Sequence, residues 1–196
     1  MKHLIKLVTI TIFLNLIIGC NKNGDTDSYG PFSVQNDTVV FMNGDMGNCI
    51  DIEFENLIED YPDIKLVIFG KCPGSRNDES MMDAAIMLRN NGIDTHLPTT
   101  SIIESGAVDF YLAGNTRTRE PESKIGVHAW SDRNNSATDY PVGHIEHQLY
   151  IDHYIFCGYT EEESEALYYF IINAAPPDGM YYLTEEEIEE YKITTF

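Results

Sequence analysis

Leu66-Val67-Ile68-Phe69 is an unbroken apolar run entered from Lys65 and closed by Gly70. A strand with one wet face alternates apolar and polar residues, so a continuous run predicts a strand covered on both sides. The residues after the run suggest the cover. Gly70 to Ser75 breaks the pattern, and from Ser80 to Asn91 the residues Met81, Met82, Ala85, Ile86 and Leu88 recur at helical spacing until Asn90-Asn91-Gly92 stops the helix. The same strand-then-helix order recurs. A β-branched run at Thr38–Met42 precedes a helical stretch at Cys49–Asp60 carrying Ile50, Ile52, Phe54, Leu57 and Ile58. A strand at His96–Thr99 precedes a small-residue helix from Ser105 to Gly114, and a strand at Lys124–Ala129 precedes a long helix over Gly143–Gly158. Alternation of this kind predicts an α/β core in a single domain. Thr160 with Glu163 and Thr184 with Glu187 are capping boxes that mark two more helix starts, and their glutamate runs suit solvated first turns.

Residues 1–20 read as a targeting segment rather than part of the fold. Lys2 and Lys6 form a basic leader, Leu7 to Ile18 is almost wholly apolar, and Ile17-Ile18-Gly19-Cys20 resembles a bacterial lipobox. About a dozen apolar residues fall short of the roughly 20 that span a bilayer. Cleavage before Cys20 would leave it as the lipid-bearing residue that anchors the protein to a membrane of the cell envelope, periplasmic side or cell surface. Residues 21–37, rich in Asn, Asp, Ser and Gly, read as a flexible linker. The domain is then expected over 38–196, long enough for one core.

The chain carries 32 acidic against 12 basic residues, a formal charge of -20, and removal of Lys2 and Lys6 takes it to -22. Such a surface repels phosphate backbones, which excludes nucleic acid as a partner. Cys49, Cys72 and Cys157 include no CxxC pair, so three buried thiols are expected and no disulfide is specified. His144, Glu146, His147, Asp152 and His153 crowd one segment, but without an H-E-x-x-H signature, and a histidine-rich helix with no metal is expected there.

Chemistry concentrates in Ile103-Glu104-Ser105-Gly106-Ala107 and in Ile125-Gly126-Val127-His128. A serine nucleophile needs a base, a group that orients the base, and donors for the developing oxyanion. Ser105 opens a helix, where unpaired amides favour an anion, and His128 is a base downstream of it. Lys124 is a second candidate base. A serine at a helix start is, by itself, more often a cap.

Order and spacing add to this. The strand ending in Phe69 followed by Cys72-Pro73-Gly74-Ser75, then the helix from Ser80, then Ser105-Gly106-Ala107 thirty residues beyond Ser75, then His128 twenty-three further on, resemble the Clp protease and crotonase superfamily. Pro176-Pro177-Asp178-Gly179-Met180-Tyr181-Tyr182-Leu183-Thr184 is the last matching landmark, and its ending resembles a group of secreted or periplasmic Clp-like lipoproteins. The resemblance covers roughly Val39 to Ile193. It implies a fold of repeated β-β-α units and a serine hydrolase acting on peptides or proteins without a cofactor. It implies Ser105 as nucleophile, His128 as base, Asp178 as orienter, with Asp152 or Asp139 as alternatives, and the amides of Ser75 and Gly106 as the oxyanion hole. Self-association through the C-terminal helices is implied as well. Two departures bear on activity. Ser75 stands where the family has glycine, which strains the backbone if φ is positive there. Glu104 places a carboxylate beside the nucleophile, which opposes an oxyanion if it points inward. A non-catalytic descendant that binds a peptide or partner protein in the same cleft is the alternative.

Overall fold

The computed structural model describes residues 28–132 and 134–195. The targeting segment and Cys20 lie outside them.

Two sheets form the body. The larger has the order β1 (Ser28–Tyr29), β2 (Phe32–Asn36), β3 (Val39–Met42), β4 (Leu66–Phe69), β6 (Asp94–Leu97) and β8 (Arg117–Arg119). Its last four strands are parallel, while β1 and β2 form antiparallel pairs at one edge. The smaller sheet has β5 (Lys71–Cys72), β7 (Ile102–Glu104) and β9 (Lys124–Val127) in parallel, with β10 (Tyr181–Tyr182) antiparallel on β9. Each of β4, β6 and β8 runs directly into a strand of the smaller sheet, and β5 and β7 then lead into helices α2 (Asp78–Asn90) and α3 (Gly106–Leu112).

Strand β4 puts Val67 and Phe69 in the core on one face, whereas Leu66 and Ile68 on the other are only half-buried, so the cover expected on both sides of the Leu66–Phe69 run is complete on one side alone. Helix α1 (Ile50–Asp60) packs on α2, α2 on α3, and α3 on α4 (Gln148–Phe156), which in turn packs on α5 (Glu161–Ala174). Phe32, Phe54 and Phe110 meet with ring centroids 5.2 to 5.9 Å apart, and Phe69 joins Phe110 at 6.2 Å. All four rings are fully buried.

Phe32 corrects the expected linker over 21–37. Residues 28–36 belong to the larger sheet, because Phe32 and Val34 turn inward while Ser33 bonds the next strand. The domain therefore begins before Thr38. The long helix expected over Gly143–Gly158 is shorter: a 3-10 turn at Ile145–His147 precedes α4. The strand expected over Lys124–Ala129 ends at Val127, so His128 sits just past it. Both capping boxes form, with Thr160 opening α5 and Thr184 opening α6 (Glu185–Glu190). Cys72 and Cys157 are buried free thiols whose pKa values burial pushes up to about 12, while Cys49 departs from the three buried thiols expected, being half-buried and disulfide-bonded. Among the described residues no helix is long and apolar enough to cross a membrane.

Candidate active site

Strand β7 aims Ser105. The Ser105 amide donates to the Gly126 carbonyl on β9 at 3.0 Å, and the chain then turns sharply into α3, whose first bond runs from the Val108 amide to the Ser105 carbonyl at 2.7 Å. Ser105 makes that turn with φ 53° and ψ -135°, outside the ordinary regions for a residue with a side chain. Its hydroxyl caps no amide of α3. Half-buried, it faces a cavity.

The turn after β5 lies against this corner. Gly74 has φ 127°, and a Cβ there would sit 2.9 Å from the Ser105 Cβ and 3.2 Å from the Glu104 carbonyl oxygen. Positive φ therefore falls on Gly74 and not on Ser75, so the strain that a side chain at position 75 could have brought is absent. Ser75 also forms a parallel bridge with Met46, in which the Met46 amide donates to the Gly74 carbonyl at 2.9 Å and the Arg76 amide donates to the Met46 carbonyl at 3.0 Å. Alternation along an extended chain then turns the Ser75 N–H the other way. It turns toward α3: a Cβ on Gly106 would lie 3.2 Å from the Ser75 nitrogen. The structure thus brings together Ser75, Gly106 and Ser105, and Gly106 sits in the first turn of a helix, where amides lack intrahelical acceptors.

Glu104 points away from the cavity. It pairs with Gly126 on β9, Tyr182 pairs with the same glycine from the other side, and the Tyr182 hydroxyl donates across to the Glu104 carboxylate.

His128 lines the cavity with Ser105, and no hydrogen bond joins them. Its Nδ1 is buried without a hydrogen-bond partner. Asp178 is exposed on the Pro176–Gly179 turn and does not reach that nitrogen, which corrects its expected place behind the ring. Its alternatives are engaged elsewhere. Asp139 accepts from the Ser136 amide at 2.7 Å, and Asp152 accepts from the Gln148 side chain at 2.8 Å. Lys124 is exposed over the Tyr182 ring and is not part of the cavity wall.

The cavity has a volume of about 30 Å³ and runs inward from Ser105 and His128 between α3, α4 and α5. Two carboxylates not singled out by the sequence line it. Asp78, at the start of α2, accepts from the Ser75 hydroxyl at 2.5 Å and from Tyr150 at 2.6 Å. Asp109, one turn along α3 from Ser105, accepts from Tyr154 at 2.7 Å. Burial pushes the Asp109 carboxyl up to about 7, the Tyr154 bond opposing this and the Asp78 charge adding to it. Trp130 stacks on Tyr150 with centroids 5.9 Å apart and planes 10° from parallel, and its indole N–H donates to the Tyr168 hydroxyl at 2.9 Å. The i, i+4 spacing of Ser105 and Asp109 was the available signal for the second carboxylate, since it places both on one helix face.

The histidine-rich segment builds structure. The His147 Nε2–H donates to the Pro141 carbonyl at 3.1 Å, which leaves Nδ1 to accept from Tyr168 at 2.7 Å. His153 donates to the Asp109 carbonyl at 3.0 Å, and burial lowers its pKa to about 4. Among the described residues no group of three or more ligand-type side chains is placed to hold a metal.

The sequence matches no family model and no curated protein. Among solved structures, the fold is similar to that of the 1510-N membrane-bound stomatin-specific protease. One alanine mutant of that protease aligns at 14% identity over 81% of this chain and 76% of the other, with a TM-score of 0.51. A second, in complex with a substrate peptide, aligns at 15% identity over 83% and 75%, with a TM-score of 0.48. The fold is Clp-protease-like. It sets β7, β9 and the turn after β5 side by side, and the candidate residues lie at that junction.

Proposed function

We propose that this chain is a Clp-like serine hydrolase that cleaves peptide bonds. The observation that carries the reading is the Ser105 corner, where an uncapped hydroxyl on a strained residue faces a cavity beside the histidine. Strained backbone persists where surrounding structure enforces it, and such positions cluster at active sites. The protease fold supports the substrate class. Successive passes of the chain through both sheets support a reading as β-β-α units.

In this mechanism the Ser105 Oγ attacks a peptide carbonyl carbon as His128 takes the hydroxyl proton. The Ser75 and Gly106 amides donate to the resulting oxyanion. The C–N bond then breaks, His128 gives its proton to the leaving amine, and water cleaves the ester by the same route in reverse order. The base works as a dyad partner, since among the described residues no carboxylate bonds its Nδ1. Lys124, the other candidate, has no access to the cavity.

Labelling of the purified protein with a fluorophosphonate tests this. Wild type is expected to label at one serine, and Ser105→Ala and His128→Ala are expected to abolish it. A folded wild type that fails to label would instead favour a domain that binds a peptide or partner in the same cleft. We also propose an envelope location through lipid on Cys20, on the sequence alone; metabolic palmitate labelling that survives Cys20→Ser would sink it.

A further inference from the structure

Two carboxyl groups, Asp78 and Asp109, face the cavity beside Ser105. Asp78 and Asp109 receive hydrogen bonds only from neutral hydroxyls, those of Ser75, Tyr150 and Tyr154. No lysine or arginine is part of the wall, and neither carboxylate has an ion-pair partner among the described residues. Asp109 is only 8% exposed, and its second oxygen accepts no hydrogen bond among those residues. A buried carboxylate with an open acceptor position is costly unless a cation or donor completes it.

The rest of the wall suits a cation on an aliphatic stem. Val108, Ile171 and Ile172 supply apolar surface, and Trp130, Tyr150 and Tyr168, whose rings stack in series on one another, close the wall beside them. Asp109 lies four residues from Ser105 along α3, a rise of about 6 Å. That separation is close to the reach of a four-carbon stem. At about 30 Å³ the cavity admits an ammonium, which is close to a water molecule in size. The planar fork of a guanidinium is larger and more rigid.

We propose that this cavity is the specificity pocket for the residue whose carbonyl Ser105 attacks, and that it takes the primary ammonium of a lysine side chain between Asp78 and Asp109. The assignment rests on the serine hydrolase reading. Asp109 is the specificity-determining residue: it faces Asp78 from α2, Tyr154 and His153 from α4, and the incoming ammonium.

Three phosphonate probes that differ only in the side chain at the attacked position test it on the full chain, with a general fluorophosphonate as reference. Lysine is expected to react at least about tenfold faster than norleucine, which keeps the stem and lacks the charge, and faster than arginine. Asp109→Asn is expected to bring the lysine-to-norleucine ratio to about one. Butylammonium is expected to slow fluorophosphonate labelling of wild type where butanol does not, a readout that needs no variant. Equal rates for lysine and norleucine, with fluorophosphonate labelling intact, would overturn the pocket and leave the serine reading standing. If no probe reacts, the serine reading fails, and calorimetric titration of butylammonium into the same folded protein decides the pocket: absence of binding overturns it.

Discussion

Helices α5 and α3 both start at a hydroxyl residue, and the two starts are built in opposite ways. At α5, Thr160 has extended backbone, its hydroxyl accepts from the Glu163 amide at 3.2 Å, and the Glu163 carboxylate accepts from the Thr160 amide at 2.9 Å. At α3, Ser105 has φ 53° and ψ -135°, and its hydroxyl caps nothing. One hydroxyl stabilises the fold. The other is withheld from it, on a backbone that costs about 1–3 kcal/mol to maintain. A helix-start serine that does not cap, held strained at a cavity, is the signature that separates a candidate nucleophile from an ordinary cap.

The largest expected contrast is in reactivity. Removing the Ser105 hydroxyl or the His128 ring is expected to lower hydrolysis or probe labelling by about 10⁴-fold or more, while Thr160→Ala leaves it within about twofold. Labelling rates at matched folded concentration check this, and a Thr160→Ala effect as large as that of Ser105→Ala would erase the distinction. Next in size is Gly74→Ala. A Cβ on Gly74 strikes the Ser105 Cβ and the Glu104 carbonyl at positive φ, so this variant is expected to lose about 1–3 kcal/mol of stability in urea unfolding. Smaller still, and opposite in sign at the two helices, are Ser105→Gly and Thr160→Ala. Relief of strain is expected to stabilise the first by about 1 kcal/mol, and loss of the cap to destabilise the second by about 1 kcal/mol. Equal signs would mean that the Ser105 conformation carries no strain.

The same contrast explains what is legible in the sequence. Thr160 with Glu163 and Thr184 with Glu187 can be read directly because capping is local: both partners lie within one turn, and the pattern is the interaction. The apolar run at Leu66–Phe69 is legible as a strand because its signal is equally local, although only Val67 and Phe69 are fully buried and the face of Leu66 and Ile68 is half-covered. The resemblance to Clp-like proteins singles out Ser105, Gly106 and Ser75, and parallel strands β5 and β7 bring them together. Asp178 is misplaced by sequence reasoning because a loop after α5 carries no periodic signal of where its side chain goes. Asp78 and Asp109 escape it because each looks ordinary in one dimension: Asp78 is a first-turn acid of α2, and Asp109 is a lone acid in an apolar helix. Only the packing of α2, α3 and α4 reveals that both face one cavity. Strand β2 reads as linker because Phe32 and Val34 are two apolar residues among polar ones, too short a pattern to stand out.

The smallest effect is a pH dependence, and it tests whether the cavity side of α3 is as costly as its geometry indicates. Burial raises the Asp109 pKa to about 7 from an ordinary carboxylate value, so between those pH values the folded protein holds a proton that the unfolded chain has lost. Stability from Asp109 is therefore present at low pH and lost as pH rises toward 7. His153, which donates to the Asp109 carbonyl, acts in the opposite sense. Its pKa is lowered to about 4, so the unfolded chain binds the extra proton between about 4 and the usual histidine value, and stability rises with pH across that window. The two slopes oppose each other below about 6.5, the reference histidine value, and above it only the falling contribution of Asp109 remains. Asp109→Asn removes that contribution and exposes the rise due to His153. Urea unfolding at pH 5, 6 and 8 is expected to show the stability of Asp109→Asn gaining on wild type as pH increases. A difference that stays flat with pH would mean that Asp109 is ionised in the folded protein throughout, and that the cavity is wetter than its walls suggest.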